Sequence, residues 1–393
     1  MPDAVLCLNA GSSSLKFAVY QLRPTETRLV NGAVERIGLP ESRVWVRTRA
    51  GEVVEESAHD IADHASAARA VFAALKRQGL DAAAAVGHRI VHGGPDLSAP
   101  RRVDARLVAA LRQLIPLAPL HLPSEIAMIE AVGRERPEVP QVVCFDTAFH
   151  RRMPESAQRL PLPRSLWDDG VRRYGFHGLS YEYVLWKLGE AASGRLILAH
   201  LGNGASLAAV LDGRPIDTTM GLTPLGGVVM GTRPGDLDPG VLLYLLQAGR
   251  YDVPRLGELL NDESGLLGIS GTTSDMKALL ARRATDARAA QAVEMFCASI
   301  RKHIGAFAAT LGGVDTLVFT GGIGERAAAV RAEVCEGLGH LGIELDRAKN
   351  DAHADIVSPP AARRTVRIVP TNEEVMIARH TAAVVAPPHA GSL

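Results

Sequence analysis

Groups that bind charged oxygen recur in this chain at turns. The first is Asn9-Ala10-Gly11-Ser12-Ser13-Ser14, followed by Lys16. Glycine lets the backbone approach a ligand closely, the serines add hydroxyls and N–H groups, and the lysine adds a point charge. The stretch reads as a phosphate cradle or as a serine-rich hairpin turn. Arg89 ends an apolar run ahead of Gly93-Gly94, where it faces a cleft or lies on the surface. His121 sits in the proline-rich IPLAPLHLP, as a ligand group or as a satisfied buried histidine. Asp146 stops the run VVCF, and a carboxylate at the carboxyl end of a strand is where α/β proteins meet ligands and Mg²⁺. Gly175 and Gly178 bracket Phe176-His177, the glycine-rich stretch 217–240 carries Arg233, Asp236 and Asp238, and Asn372-Glu373-Glu374 forms an acidic turn. Within 59–64, HDIADH either binds a metal or forms a solvated loop or helix start. Arginines, a histidine and carboxylates beside glycine or serine turns suit phosphoryl transfer, which needs charge compensation and alignment.

Strands must hold these turns. Residues 5–20 read as strand–turn–strand, and 196–211 repeat the pattern, with Ser14-Leu15 matched by Ser206-Leu207. That suggests an internal duplication with two similar lobes. Short β-branched runs at 44–48 and 53–54 read as antiparallel strands. Residues 65–78 and 289–311 carry apolar positions at helical spacing. Strands at 317–320 and 366–369 each lead through a polar turn, 321–325 and 370–374, into a helix at 327–338 and 375–385. The tail after Pro387 reads as disordered.

With 393 residues the chain has room for two or three domains. Its 43 Lys and Arg balance 43 Asp and Glu, which gives no basic excess for nucleic acid or an anionic membrane. Cys7, Cys144, Cys297 and Cys335 are scattered without a CxxC, as expected of reduced thiols in a cytoplasmic protein. The N-terminus has no basic n-region, and no apolar run reaches the ~18 residues of a membrane span.

One motif points elsewhere. Gly322-x-Gly324-x-x-Ala327 follows a strand, and Glu344 lies beyond it, as in a nicotinamide-binding fingerprint. That reading leaves the serine turn, Arg89, Arg233 and the acidic turn without a task. A G-x-x-x-x-G-K-[ST] loop does not occur.

The motifs NAGSSSLKF, HRIVHGG, FDTAFH, RRYGFHGLSY, HLGNGAS, MGTRPGDLDPG, FTGGIGE and PTNEE stand in this order between Val5 and about Thr381. Together they resemble the acetate kinase family, which includes propionate and butyrate kinases. The resemblance implies an α/β fold of the actin, Hsp70 and sugar-kinase class: two RNase H-like lobes of mixed sheets flanked by helices, with the active site in the cleft between them. Residues 1–150 with 375–393 would form one lobe, and 151–374 the nucleotide-binding lobe. The implied reaction is reversible, direct in-line transfer of a phosphoryl group from ATP to acetate, with Mg²⁺ or Mn²⁺, in a cytoplasmic homodimer. By motif, Asp146, His177, Arg233 and Arg89 would be catalytic, and Asn9 and Glu373 would hold the metal. Arg89, Val91, Leu120, His121, Phe176 and Pro224 would bind the acyl substrate. Ser12, Ser14, Lys16 and the run His200-Leu201-Gly202-Asn203-Gly204 would hold phosphates. Asp275-Met276-Lys277 and Gly322-Ile323-Gly324-Glu325-Arg326 would hold the adenosine. Departures from the family pattern are Lys277 in place of Arg, Arg326 in place of Asn, and Leu122 in place of Asn. The alternatives are a propionate or butyrate kinase and a non-catalytic nucleotide-binding protein of the same fold. Alanine in place of Arg89 or Arg233 is expected to cut turnover and spare the fold.

Overall fold

The computed structural model describes residues 4–80 and 83–386; the tail read as disordered lies outside them. The chain forms two compact units, Met1–Ala148 with Asn372–Leu393, and Phe149–Thr371.

The first unit is built on a mixed sheet. Its strands are β1 (Ala4–Ala10), β2 (Ser14–Gln21), β3 (Thr27–Glu35), β4 (Ser42–Thr48), β5 (Val53–His59), β6 (Ala85–Ile90), β7 (Arg101–Arg102) and β8 (Gln141–Phe145), in the order β5-β4-β3-β2-β1-β6-β8-β7. β1, β6 and β8 are parallel, while β1 to β5 form an antiparallel meander. Alternation along β1 sends Leu6, Leu8 and Ala10 into a core shared with Val71 and Leu75 of helix His64–Arg77 and Met128 and Val132 of helix Leu122–Glu135. Cys7 points the other way, and its Sγ donates to the Glu374 carbonyl of helix Glu373–Val385 (3.2 Å). That helix lies directly on β6, which requires Gly87: a Cβ there would sit 2.2 Å from Thr381 Oγ1 and 2.6 Å from Ile377 Cγ2.

The helix starts at Glu373, not at 375, because the Asn372 side chain caps it by accepting from the Val375 N–H (3.2 Å). The boundary expected at about 375 lies close to the division between the two units at 371/372, and Glu373 belongs with the first unit. The boundary expected at about 150 likewise lies close to the division at 148/149.

The second unit holds β9 (Arg195–Leu201), β10 (Ala205–Leu211), β11 (Arg214–Thr218), β12 (Thr316–Thr320) and β13 (Thr365–Ile368), in the order β11-β10-β9-β12-β13. β9, β12 and β13 run parallel; β10 and β11 are antiparallel. The strands β3-β2-β1-β6-β8 follow the same pattern, so the topology repeats. The residue match Ser14-Leu15 to Ser206-Leu207 does not keep register, however. Ala10 pairs Leu15 across the first turn and Leu201 pairs Ala205 across the second, so the first turn is one residue longer. Residues 321–325 are not a simple turn but belong to a short helix, Gly321–Arg326, which Gly321 enters with φ +76°.

The nicotinamide reading of this glycine run fails on its acid, because β12 reaches its next parallel strand only at β13. A dinucleotide fold continues into a further parallel strand bearing the acid. Glu344 lies in no strand, and the chain has none between Arg326 and Thr365.

Candidate active site

In the first unit, parallel β1, β6 and β8 end at one edge, and side chains of one face converge there. Arg89, at the end of β6, makes a two-pronged ion pair with Asp146, just past β8; Nε donates to Oδ1 at 3.1 Å and Nη2 to Oδ2. Its Nη1 donates to Asn9 Oδ1 on β1 (3.2 Å). Glu373, in the first turn of its helix, places Oε2 3.8 Å from Arg89 Nε. Burial works against the guanidinium charge, but Asp146 and Glu373 more than offset it and hold Arg89 above its ordinary value. Burial pushes Glu373 upward against the pull of Arg89, and Glu374 adds to that push.

A residue that sequence reasoning missed completes the cluster. Glu125 is buried, and both its carboxylate oxygens accept from the Val91 N–H (3.1 and 3.2 Å). Burial raises it to about 8, although Arg89 pulls it down. The available signal was an acid at helical spacing between buried Leu122 and Ile129.

Of the other first-unit residues, Val91 is buried and Leu120 exposed, and the His121 carbonyl accepts from Ser124 Oγ. The serine turn is closed by Gly11 N–H to the Ser14 carbonyl (2.7 Å). His64 Nε2 lies 2.8 Å from the Gly11 carbonyl and Asp63 caps helix His64–Arg77, so this stretch starts a helix. Ser12 and Lys16 are exposed and Ser14 is half-buried.

In the second unit, His177 caps helix Gly178–Leu188 in the left-handed conformation (φ 60°). Its ring stacks on His200 with centroids 4.2 Å apart, and its Nδ1 lies 2.8 Å from Ser206 Oγ. A Cβ on Gly204 would stand 3.3 Å from His177 Nε2 and 3.1 Å from Arg233 Nη2, so both groups converge on the space this glycine leaves open. Arg233 Nη1 donates to the Pro224 carbonyl (2.7 Å), and the Phe176 carbonyl faces buried His150 (2.9 Å). Asp236 and Asp238 serve the loop and the following helix by accepting from the Gly227 and Gly240 N–H groups.

A cavity of about 520 Å³ opens beside this group. Gly202, Asn203, Asp275, Met276, Lys277, Gly322, Ile323 and Arg326 from the sequence reading line it, together with Ser274, Leu280 and Ala327. Gly324 and Glu325 are not among its walls. Buried Arg331 holds their carbonyls at 2.8 and 3.0 Å, and the Glu325 carboxylate accepts from the Thr371 N–H. Leu201 is packed in the core, and His200 Nδ1 meets Ser180 Oγ at 2.8 Å. Among the described residues, no cluster of three His, Cys, Asp or Glu side chains is arranged to hold a metal.

A cavity of nucleotide size beside glycine turns, with held guanidinium groups, defines a phosphotransferase on a repeated mixed α/β scaffold. The chain belongs to the acetokinase family, whose model matches residues 4–379. An acetate kinase of Methylocella silvestris is 46% identical over 400 residues, covering 98% of each chain. The crystal structure of Porphyromonas gingivalis acetate kinase superposes with a TM-score of 0.88 at 39% identity, over 98% of this chain and 100% of that one. A propionate kinase from Francisella tularensis gives 0.92 at 35%, again over 98% and 100%.

Proposed function

We propose that this chain catalyses reversible transfer of the terminal phosphoryl group of ATP to acetate, giving acetyl phosphate and ADP. The observation that carries the reading is the engagement of Asp146: both its oxygens are taken by Arg89. Acetate is ionised at neutral pH and needs no general base. A carboxylate spent on aiming a guanidinium therefore suits a reaction whose demand is to bring anions together in line. Arg89 binds the acyl carboxylate, with Val91, Leu120, His121, Phe176 and Pro224 as acyl-side residues. Arg233 and His177 donate to the phosphoryl group in transit. Ser12, Ser14, Lys16 and 200–204 take the phosphates, and the 520 Å³ cavity takes the base.

Asn9 and Glu373 fit Mg²⁺ or Mn²⁺. Both offer hard oxygen, and two carboxylates, buried Asp146 and half-buried Glu373, stand against the single Arg89 guanidinium. Mg²⁺ is commonly held by one or two carboxylates with substrate phosphates, which agrees with so sparse a protein set. When bound it supplies charge neutralisation to the nucleotide phosphates.

A hydroxamate assay with acetate, propionate and butyrate, each with ATP and GTP, tests the reading. Acyl phosphate formation fastest with acetate is expected, and none with any acceptor would sink it. In the cavity wall stands Lys277, whose ammonium cannot lie flat on a base or donate as a fork. Lys277→Arg should lower the KM for ATP about tenfold, the equivalent of ~1.4 kcal/mol, and leave kcat unchanged. An unchanged KM and ATP/GTP ratio would mean the side chain does not reach the nucleotide.

The enzyme acts as a homodimer in the cytoplasm. Helix Pro239–Gln247, sequence PGVLLYLLQ, buries none of its residues, with Leu243 58% and Tyr244 61% exposed. An apolar helix so bare suits a second copy of the chain. None of the four cysteines forms a disulfide and all are buried, which suits a reducing compartment. Leu243→Glu combined with Tyr244→Ser should convert dimer to monomer in sedimentation velocity. A monomeric parent protein would refute the assembly.

A further inference from the structure

We infer that Tyr181 and Ser206 form a directed hydrogen-bond relay that holds His177 in the tautomer with its proton on Nε2, which makes Tyr181 a positioning residue for the transfer. The inference rests on the reading of His177 as a donor to the phosphoryl group.

Three elements build the relay. His177 caps helix Gly178–Leu188, Tyr181 follows one turn along that helix, and Ser206 lies on β10 directly opposite His200 on β9. Tyr181 and Ser206 are wholly buried. Tyr181 OH lies 2.6 Å from Ser206 Oγ, and Ser206 Oγ lies 2.8 Å from His177 Nδ1.

The direction follows from counting protons. Burial pushes the phenol well above its ordinary value, so it stays protonated. Its one hydrogen needs an acceptor. Among the described residues, Ser206 Oγ is the partner that can take it. Were Ser206 to donate to Tyr181 instead, a phenol hydrogen would be buried without a partner, at a cost of about 1–3 kcal/mol. The Ser206 hydrogen is therefore free to point at only one group, His177 Nδ1, which must accept it. A ring nitrogen that accepts carries no proton, so the proton sits on Nε2. Nε2 is the atom that faces the space over Gly204 beside Arg233 Nη2. The relay thus presents an N–H where the second donor of the pair already stands. Neither relay hydroxyl gains or loses a proton in this role.

Nitrogen-15 NMR of histidine-labelled full-length protein reads the tautomer without reference to activity. We expect bare Nδ1 and protonated Nε2 at His177 near neutral pH. Tyr181→Phe keeps the ring packed against Phe149 and His150 and removes only the oxygen. It should mix the tautomers, lower kcat about tenfold, and leave both KM values within about twofold. Ser206→Ala should do the same, and Ser206→Thr, which keeps a hydroxyl, should restore most of the rate. A parent protein with the proton on Nδ1, or a Tyr181→Phe spectrum identical to it, would overturn the relay. Mixed tautomers with unchanged kcat would overturn Tyr181 as a positioning residue and the reading of His177 as a donor. Absence of acyl phosphate formation by the parent protein would fail that functional reading alone, since the spectrum still reports the relay.

Discussion

Arg233→Ala lowers kcat by on the order of 10²–10³ with a native melting curve, whereas Arg89→Ala loses as much rate and destabilises the fold as well. The rate loss in both follows from removing a preorganised cation at a group whose negative charge must be offset during transfer. The difference in stability comes from where each arginine stands. Arg233 lies in a glycine-rich loop, and its Nη1 donates to the Pro224 backbone carbonyl. Arg89 ends a central strand, pairs with buried Asp146, and stands close to Glu373 and Glu125. Deleting it strands the buried Asp146 carboxylate, and breaking a buried pair from one side costs about 3–5 kcal/mol. The expectation from sequence that the fold survives either change is thus revised for Arg89. Steady-state kinetics and urea unfolding measured on both variants decide the matter; near-normal turnover in either would make that arginine a bystander.

Glu125→Gln flattens the pH dependence of stability. Folding buries Glu125 and raises it to about 8, while the unfolded chain releases the proton near its ordinary value of about 4.5. Between these values the folded protein binds the proton and the unfolded chain does not, so stability falls as pH rises, by at most roughly 1.4 kcal/mol per pH unit. This contribution is fully present below about 4.5 and lost above about 8. Glutamine still accepts from the Val91 N–H but does not ionise. The variant should therefore gain on the parent protein as pH is raised from about 5 to about 9 in urea unfolding. Parallel stability curves would show that Glu125 is ionised throughout, paired with Arg89.

Much of the local structure was legible in the sequence because it depends on near neighbours. Alternation in 5–20 and 196–211 marks strands whose faces differ, and glycines and serines mark the turns between them. Helical spacing in 65–78 and 289–311 matches the helices His64–Arg77 and Ala287–Thr310 to within two residues. The eight motifs named the family, since residue types in fixed order survive without knowledge of what they touch.

What the tertiary structure alone decided was which polar groups meet. Tyr181, Ser180, Ser206 and Arg331 sit at positions whose local spacing is that of ordinary helix or strand, and nothing beside them in the chain records their burial or their partners; for Glu125 the helical spacing hints at burial but not at Arg89. Ser206 gains its meaning from Tyr181 and His177, which reach it from another element. Glu373 lies far along the chain from Arg89 and meets it because Gly87 lets the last helix rest on β6. A hydrogen-bond direction, a buried charge balance and a raised carboxyl are properties of such encounters. They arise only when the chain removes those groups from water together.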